Sequence, residues 1–363
     1  MVTMSDVAKA AGVSRATVSY ALRGDPRIAA ATAEKIRQAA QKLHYNANIS
    51  ARSLRSGRSG IIGVAIYELD RPYPSEMSAA MSREIARRGY QPIVQQTSGS
   101  KDDEIMILQK VTSQLCDGMI FSPGQVSDEE LRALSHGKPM VLLDDISPDP
   151  VFDSVNTACE DGSAAAVRHL IDIGCKHVVV VGPSYDMLLD DKMASSVVGR
   201  RMTGCLRAFE EAGVDVDASN FLPLEHWDPI PAREAAYRLL DSDDYRDADG
   251  VFCMTDTIAI SFMRGLADRG VRVPDDIALV GFDGVTESEY AVPSLTTVRT
   301  DLDDLARRTL DLLIDRINAN VGGVGIDAAG DAGDNAGDGL AFPDAPQRLT
   351  AAWELVKRES TRR

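Results

Sequence analysis

Residues Met4–Leu22, MSDVAKAAGVSRATVSYAL, carry the reading on which the rest of the chain depends. The spacing predicts two short helices joined by a tight turn. Val7, Ala8 and Ala11 give the first helix an apolar face, and Gly12 closes it with the left-handed backbone that glycine adopts most cheaply. Ser14 stands where a side-chain oxygen caps the second helix. Val18, Ala21 and Leu22 recur at i, i+3 and i+4, so one face of that helix turns inward. The other face carries Arg15, Ala16, Ser19 and Tyr20. A helix of this size enters the major groove of B-DNA with its N-terminal residues at base edges. A third helix is predicted over Ala31–Leu43, with Ile36, Ala39, Ala40 and Leu43 buried. Three short helices form a core near the lower limit of independent stability.

The charge is unevenly placed. Residues 1–58 hold ten lysines and arginines against three acids, hence +7, which leaves −23 for the rest of a chain whose total is −16. A basic head on an acidic body fits a nucleic-acid module fused to a part with another task. At 363 residues the chain suggests two to three domains. Five scattered cysteines, odd in number and without CxxC spacing, read as reduced thiols. No apolar run resembles a signal peptide or spans a bilayer, so the expectation is a soluble, cytoplasmic protein with no membrane partner.

After the three helices comes Ile49–Gly57, ISARSLRSG, too short to hold a helix alone in water. Phosphates neutralising Arg52 and Arg55 would let it fold. Leu54 would then be an apolar wedge on a basic helix, suited to the minor groove; the alternative for Leu54 is packing against the next domain. DVAKAAGVSRATVSYAL, then LHYNANISARSLRSG, then IIGVAIYE resembles the LacI/GalR family of bacterial transcription regulators. The likeness runs along nearly the whole chain. It implies a helix–turn–helix headpiece (1–46), a hinge helix (47–59) and a core (60–363) of two lobes like those of periplasmic sugar-binding proteins. It also implies dimerisation through that core.

The core reads as α/β on its own terms. Strands at Ile61–Tyr67, Gln91–Gln96, Gly118–Phe121 and Met140–Leu143 alternate with helices at Glu76–Arg88, Asp102–Gln114 and Asp128–Ser135. A second series follows: helix Asp161–Ile173, strand His177–Val181, helices Arg201–Ala212 and Pro231–Leu240. Strand Gly250–Met254, helix Thr257–Arg269 and strand Ile277–Phe282 complete it. The fold class is therefore an all-α headpiece followed by two doubly wound parallel-sheet lobes. The first lobe is expected from about 60–156 and 297–317, the second from about 157–294 and 347–363. A helix at Leu305–Ile317 returns to the first lobe, and Arg348–Val356 resembles the family's last strand. Two stretches depart from the family pattern. One is a long loop at 183–200, near the cleft. The other is 318–346, whose GDAGDNAGDG lacks calcium-loop spacing and reads as a flexible acidic surface loop.

By resemblance, Arg15, Ala16 and Tyr20 set the operator sequence. Arginine gives guanine two bonds, and Ala16 offers apolar contact only. Ser5, Ser14, Thr17, Ser19 and Asn48 are placed for phosphates or caps. Arg52 and Arg55 would touch backbone or groove edges, with Leu54 at the central step of a palindromic operator in double-stranded DNA. A homodimer reads an inverted repeat because the site mirrors its two-fold axis.

Ligands of doubly wound lobes bind at the carboxyl ends of strands. There stand Asp145, Asp256 and Asp283, with Arg201 near a helix start and Trp227 after FLPLEH. The resemblance maps Asp145, Arg201, Trp227, Asp283 and, less directly, Asp256 onto effector-binding positions. Tyr73, beside Asp70, Arg71 and Pro74, adds a first-lobe contact. Carboxylates, a forked guanidinium and an indole suit a sugar, and a nucleobase also stacks on tryptophan. For each aspartate alone a helix cap or turn is the plainer reading, and for Trp227 core packing. No HExxH, GxSxG, P-loop or GxGxxG stands in the sequence, so no enzyme chemistry, metal or cofactor is expected. The reading is a repressor whose operator affinity a small molecule, a sugar, controls. The alternatives are a purine- or partner-responsive corepressor mode or an activator and, at a distance, a carbohydrate-active enzyme or sugar-binding protein.

Overall fold

The structure is a computed structural model that describes residues 2–22, 25–45, 58–145, 147–189, 196–322 and 345–362. Asn48, Arg52, Leu54 and Arg55, most of the expected hinge helix, 190–195 of the long loop and 323–344 of the acidic insertion lie outside the described residues. The chain divides into two compact units, Met1–Gly60 and Ile61–Arg363.

The first unit holds helices α1 (Met4–Ala11), α2 (Arg15–Leu22) and α3 (Ala30–Lys42). Thr3 and Asp6 form a capping box at the start of α1, and Gly12 ends it at φ 63°. Ser14 caps α2 by accepting from the Thr17 backbone N–H at 3.1 Å. Val7, Ala8, Ala11, Val18, Ala21, Ile36 and Ala40 make the small core, with Ala39 and Leu43 packed at its margin. Leu22 was expected inside. As the last residue of α2 it has no further turn to cover it, and it is 37% exposed.

The second unit is built on two six-stranded sheets. The first contains β1 (Ile61–Ile66), β2 (Gln91–Gln96), β3 (Gly118–Phe121), β4 (Met140–Leu143), β5 (Asp153–Asn156) and β11 (Arg348–Thr350), in the order β11-β5-β4-β3-β1-β2. The second contains β6 (Val178–Gly182), β7 (Phe221–Pro223), β8 (Gly250–Cys253), β9 (Ala278–Asp283), β10 (Thr296–Thr300) and β12 (Trp353–Val356), in the order β12-β10-β9-β8-β6-β7. Every pairing is parallel except β10 with β12. The continuous apolar strands IIGVAI and VVVVG suit sheets buried on both faces.

Helices α4 (Pro72–Arg87), α5 (Lys101–Ile107) and α6 (Asp128–Leu134) serve the first sheet. The second is served by α7 (Cys159–Asp172), α8 (Val197–Glu211), α9 (Pro229–Asp241), α10 (Asp256–Asp268) and the short α11 (Glu287–Tyr290). Helix α12 (Leu302–Gly322) then packs Leu305, Leu310, Leu313 and Ile317 onto Ile62, Val64 and Ile120 of the first sheet.

Several boundaries differ from expectation. Helix α4 starts at Pro72, four residues before Glu76, because proline at the first helical position is free of the N–H that would otherwise go unpaired. The helix expected over Asp102–Gln114 passes through a π turn at Leu108–Thr112. Residues 297–300 belong to the second sheet as part of β10, not to the first lobe. The single last strand is two: β11 pairs with β5 in the first sheet, and β12 pairs with β10 in the second. Thus the chain crosses between sheets after β5, at 301 and again at 351–352.

The α7–α8 contact is tight at one point. A Cβ on Gly204 would stand 2.1 Å from the Glu160 carbonyl oxygen, a backbone atom that cannot swing away. Gly204→Ala must push the two helices apart, and the overpacking is expected to cost about 1–3 kcal/mol in urea unfolding. An unchanged midpoint would show that the helices separate freely.

Candidate functional site

Two surfaces answer to the expected site residues. On the headpiece, burial of Val18 and Ala21 turns Arg15 and Ala16 outward, with Tyr20 37% exposed beside them. Arg27, which the sequence reading did not single out, lays its guanidinium 4.9 Å over the Tyr20 ring and pairs with Asp25 at 2.7 Å. That contact holds the tyrosine to one side of α2. Ser5 is exposed on α1. Ser14 and Thr17 share a hydroxyl–hydroxyl bond of 2.8 Å, so both are engaged locally. Ser19 is half-buried.

The second surface is a cleft of about 520 Å³ between the sheets, at the carboxyl ends of their strands. Tyr67 and Glu68 follow β1, Ser122 and Pro123 follow β3, and Asp144 follows β4. Facing them are Trp227 and Asp228 after β7, Thr255 after β8 and Asp283 at the end of β9. Tyr73, Arg201, Trp227 and Asp283 of the expected residues meet here.

Arg201 lies one turn into α8 and is only 5% exposed. Its Nη2 donates to Asp283 Oδ1 at 3.2 Å, its Nη1 donates to the Met254 carbonyl, and its guanidinium sits 3.7 Å over the Phe282 ring. Its Nε, buried, has no partner; nor has the Tyr73 hydroxyl. Burial pushes the Asp283 carboxyl up to about 7, against the opposing pull of Arg201. Burial likewise raises Asp144, with Thr157 opposing it through its N–H at 2.6 Å and its hydroxyl at 2.7 Å.

Asp145 is not in the cleft. The backbone turns left-handed at Asp144 (φ 54°), which aims that residue inward and leaves Asp145 on the far side. There it accepts from the Ser147 N–H at 3.0 Å and lies 3.5 Å from Arg348. Asp256 does not face the cleft either. As the first residue of α10 it points into the sheet, accepting from the Gly284 and Val285 N–H groups at 2.8 and 2.9 Å and from the Thr297 hydroxyl at 2.6 Å. Burial raises its carboxyl well above the usual range. It fixes the turn that holds Asp283 at φ 117°.

Among the described residues two contacts cross the cleft. Arg71 pairs with Glu68 at 3.3 Å on its own side and with Asp228 opposite. The Thr286 N–H donates to Glu76 at 2.9 Å. Asp228 went unremarked in the sequence, although Asp before Pro-x-Pro is the signature of a helix start. Among the described residues no helix is long and apolar enough to cross a membrane, and no group of His, Cys, Asp and Glu has the arrangement of a metal site.

Residues 3–48 match the family of bacterial regulatory proteins, lacI family, and residues 167–324 match the periplasmic binding protein-like domain. The HTH-type transcriptional repressor PurR of Pasteurella multocida (strain Pm70) is 27% identical over 320 residues, 88% of this chain and 92% of that protein. A regulator assigned to the LacI family, from Sanguibacter keddieii DSM 10542, is 32% identical, covers 84% of this chain and 99% of its own, and aligns with a TM-score of 0.68. The lac repressor dimer bound to operator and the anti-inducer ONPF aligns over 99% of both chains with a TM-score of 0.76; at 24% identity that likeness is one of fold. With an exposed reading helix ahead of a two-lobed core, and relatives that are transcriptional regulators, the chain belongs to the lacI family of bacterial regulatory proteins and is a DNA-binding transcriptional regulator.

Proposed function

We propose that the protein is a repressor that grips a two-fold-symmetric operator as a homodimer, and that a sugar seated in the cleft loosens that grip. The observation that carries the effector half is the buried Arg201–Asp283 pair, with Arg201 Nε and the Tyr73 hydroxyl unpartnered beside it and Trp227 on the lining. Vicinal hydroxyls satisfy a guanidinium and a carboxylate together, and an indole covers the apolar face of a pyranose. Arg15, Ala16 and Tyr20 read base edges, while Ser5 and Ser19 steady the backbone contact. Asn48, Arg52, Leu54 and Arg55 act in the hinge. The sugar shifts the balance between operator-holding and operator-releasing states by its difference in affinity for the two.

The test is calorimetric titration of the full chain with mono- and disaccharides and purines, at pH 6 and pH 8, beside operator binding with and without each hit. Hydroxyls that donate to Asp283 favour its ionised form. Binding therefore lowers a carboxyl that stands at about 7, releases a proton, and tightens as pH rises from 6 to 8. Arg201, Asp144 and Asp256 face the same carboxyl, and Asp283→Asn is expected to remove the pH dependence. A sugar hit that weakens operator binding supports the reading. A purine hit that strengthens it replaces the reading with corepression.

A further inference from the structure

Among the described residues the cleft walls carry five carboxylates, from Glu68, Asp144, Glu225, Asp228 and Asp283, against two guanidiniums, from Arg71 and Arg201. Both arginines are engaged. Arg71 lies between Glu68 and Asp228, one on each side of the cleft. Arg201 gives one terminal nitrogen to Asp283 and the other to the Met254 carbonyl, and its Nε has no partner. Arginine binds phosphate best through an open two-pronged fork. Both terminal nitrogens of Arg201 already hold an acceptor, and so do two of the three nitrogens of Arg71.

The backbone withholds the other common device. Helix N-termini bind anions through their unpaired N–H groups and the positive end of the dipole. Two helices start on the cleft wall. Helix α4 begins Arg71-Pro72-Tyr73-Pro74, and α9 begins Asp228-Pro229-Ile230-Pro231. Each therefore lacks the N–H at its first and third positions, two of the donors an anion would use. The residues preceding the two prolines at those starts, Arg71 and Asp228, are the pair that bridges the cleft. The other helix starts there are capped internally. The Ser196 hydroxyl accepts from Gly199 N–H at 3.0 Å, and the Thr255 hydroxyl accepts from Ile258 N–H at 3.2 Å.

We infer that the cleft selects a hydroxyl-rich effector without phosphate or carboxylate and excludes the phosphorylated form of the same molecule. The inference rests on the reading of the cleft as an effector site and names the class of effector it takes. The surplus of carboxylates repels an anion. The two unpartnered polar groups, Arg201 Nε and the Tyr73 hydroxyl, each ask for one hydroxyl oxygen. An amine in place of a hydroxyl is tolerated, since it faces carboxylates.

The full-length protein is titrated calorimetrically with matched pairs: glucose and glucose 6-phosphate, ribose and ribose 5-phosphate, adenosine and adenosine monophosphate. In a pair that binds, the phosphorylated member is expected to be weaker by at least ~10-fold. The double variant Glu68→Gln/Asp228→Asn opens the Arg71 fork and is expected to narrow that gap. A phosphorylated member that binds as tightly as its neutral partner, or more tightly, overturns the inference. Adenosine binding well above its monophosphate, with no neutral sugar binding, upholds the exclusion of anions and overturns the sugar reading alone.

Discussion

Arg201→Ala is expected to lower stability by about 3–5 kcal/mol at pH 8 and to remove detectable effector binding. The guanidinium is the one cation in hydrogen-bond contact with Asp283 among the described residues, and both side chains are almost wholly shielded from water. Removing one partner of a buried pair leaves the other charge uncompensated, which costs far more than the pair contributes. The stacking on Phe282 and the bond to the Met254 carbonyl go with it. The cost depends on pH in a definite direction. Asp283 already sits at about 7 in the folded chain, above the ~3.9 of an unfolded aspartate. Without Arg201 it rises further, so the folded state holds an extra proton over a wider range. Stability then falls as pH climbs, and at pH 5.5 a proton stands in for the missing guanidinium. Urea unfolding should therefore show a larger loss at pH 8 than at pH 5.5. Arg201→Ala/Asp283→Asn should recover part of the loss at pH 8. Equal losses at both pH values, or no recovery, would show that Asp283 is not held as described.

The same neighbourhood shows what a sequence reveals and what it conceals. The apolar runs at β1, β3, β4 and β9 announce the sheets. Strand ends followed by aspartate, arginine or tryptophan announce the cleft, and Tyr73, Arg201, Trp227 and Asp283 do meet there. The sequence points to Asp145, and the carboxylate on the cleft lining is its neighbour Asp144. Of two adjacent aspartates, the one that enters the cleft is set by the left-handed φ of Asp144 and by its bonds to Thr157, the residue just after β5. Asp256 misled for another reason. Its carboxylate satisfies two backbone N–H groups of a turn that lies 28 and 29 positions onward, a task no local pattern displays. Strands β5 and β10 carry no apolar signal in the sequence, since DSVN and TTVRT contain one valine each. Most of their polar side chains are buried nonetheless, Asp153 by pairing with Arg316 at 2.7 Å and Thr297 by donating to Asp256. The division of the last strand was equally hidden, since β11 and β12 find their sheets only after the chain has crossed.

Removing Met1–Gly60 is expected to abolish operator binding and to leave effector affinity within about twofold. The deleted unit has its own core, from Val7 through Ala40, and the remaining unit keeps both sheets and the cleft. Loss of effector binding with the headpiece would show that the two tasks are not separable. Within the headpiece, Arg15→Ala tests a finer point. Arg15 and Ala16 stand exposed at the start of α2, where a recognition helix meets base edges. A bidentate arginine contributes about 1–3 kcal/mol of discrimination at its guanine, and a homodimer applies it in both half-sites. Selection of operators from a randomised pool should therefore show relaxed preference at one base pair per half-site, placed symmetrically. Uniform weakening across all sequences, with the salt slope reduced by about 1, would place Arg15 on a phosphate instead. Tyr20 would then carry the sequence reading, held to its side of α2 by the Arg27 guanidinium over its ring, and Arg27→Ala would blur the selected operator in turn.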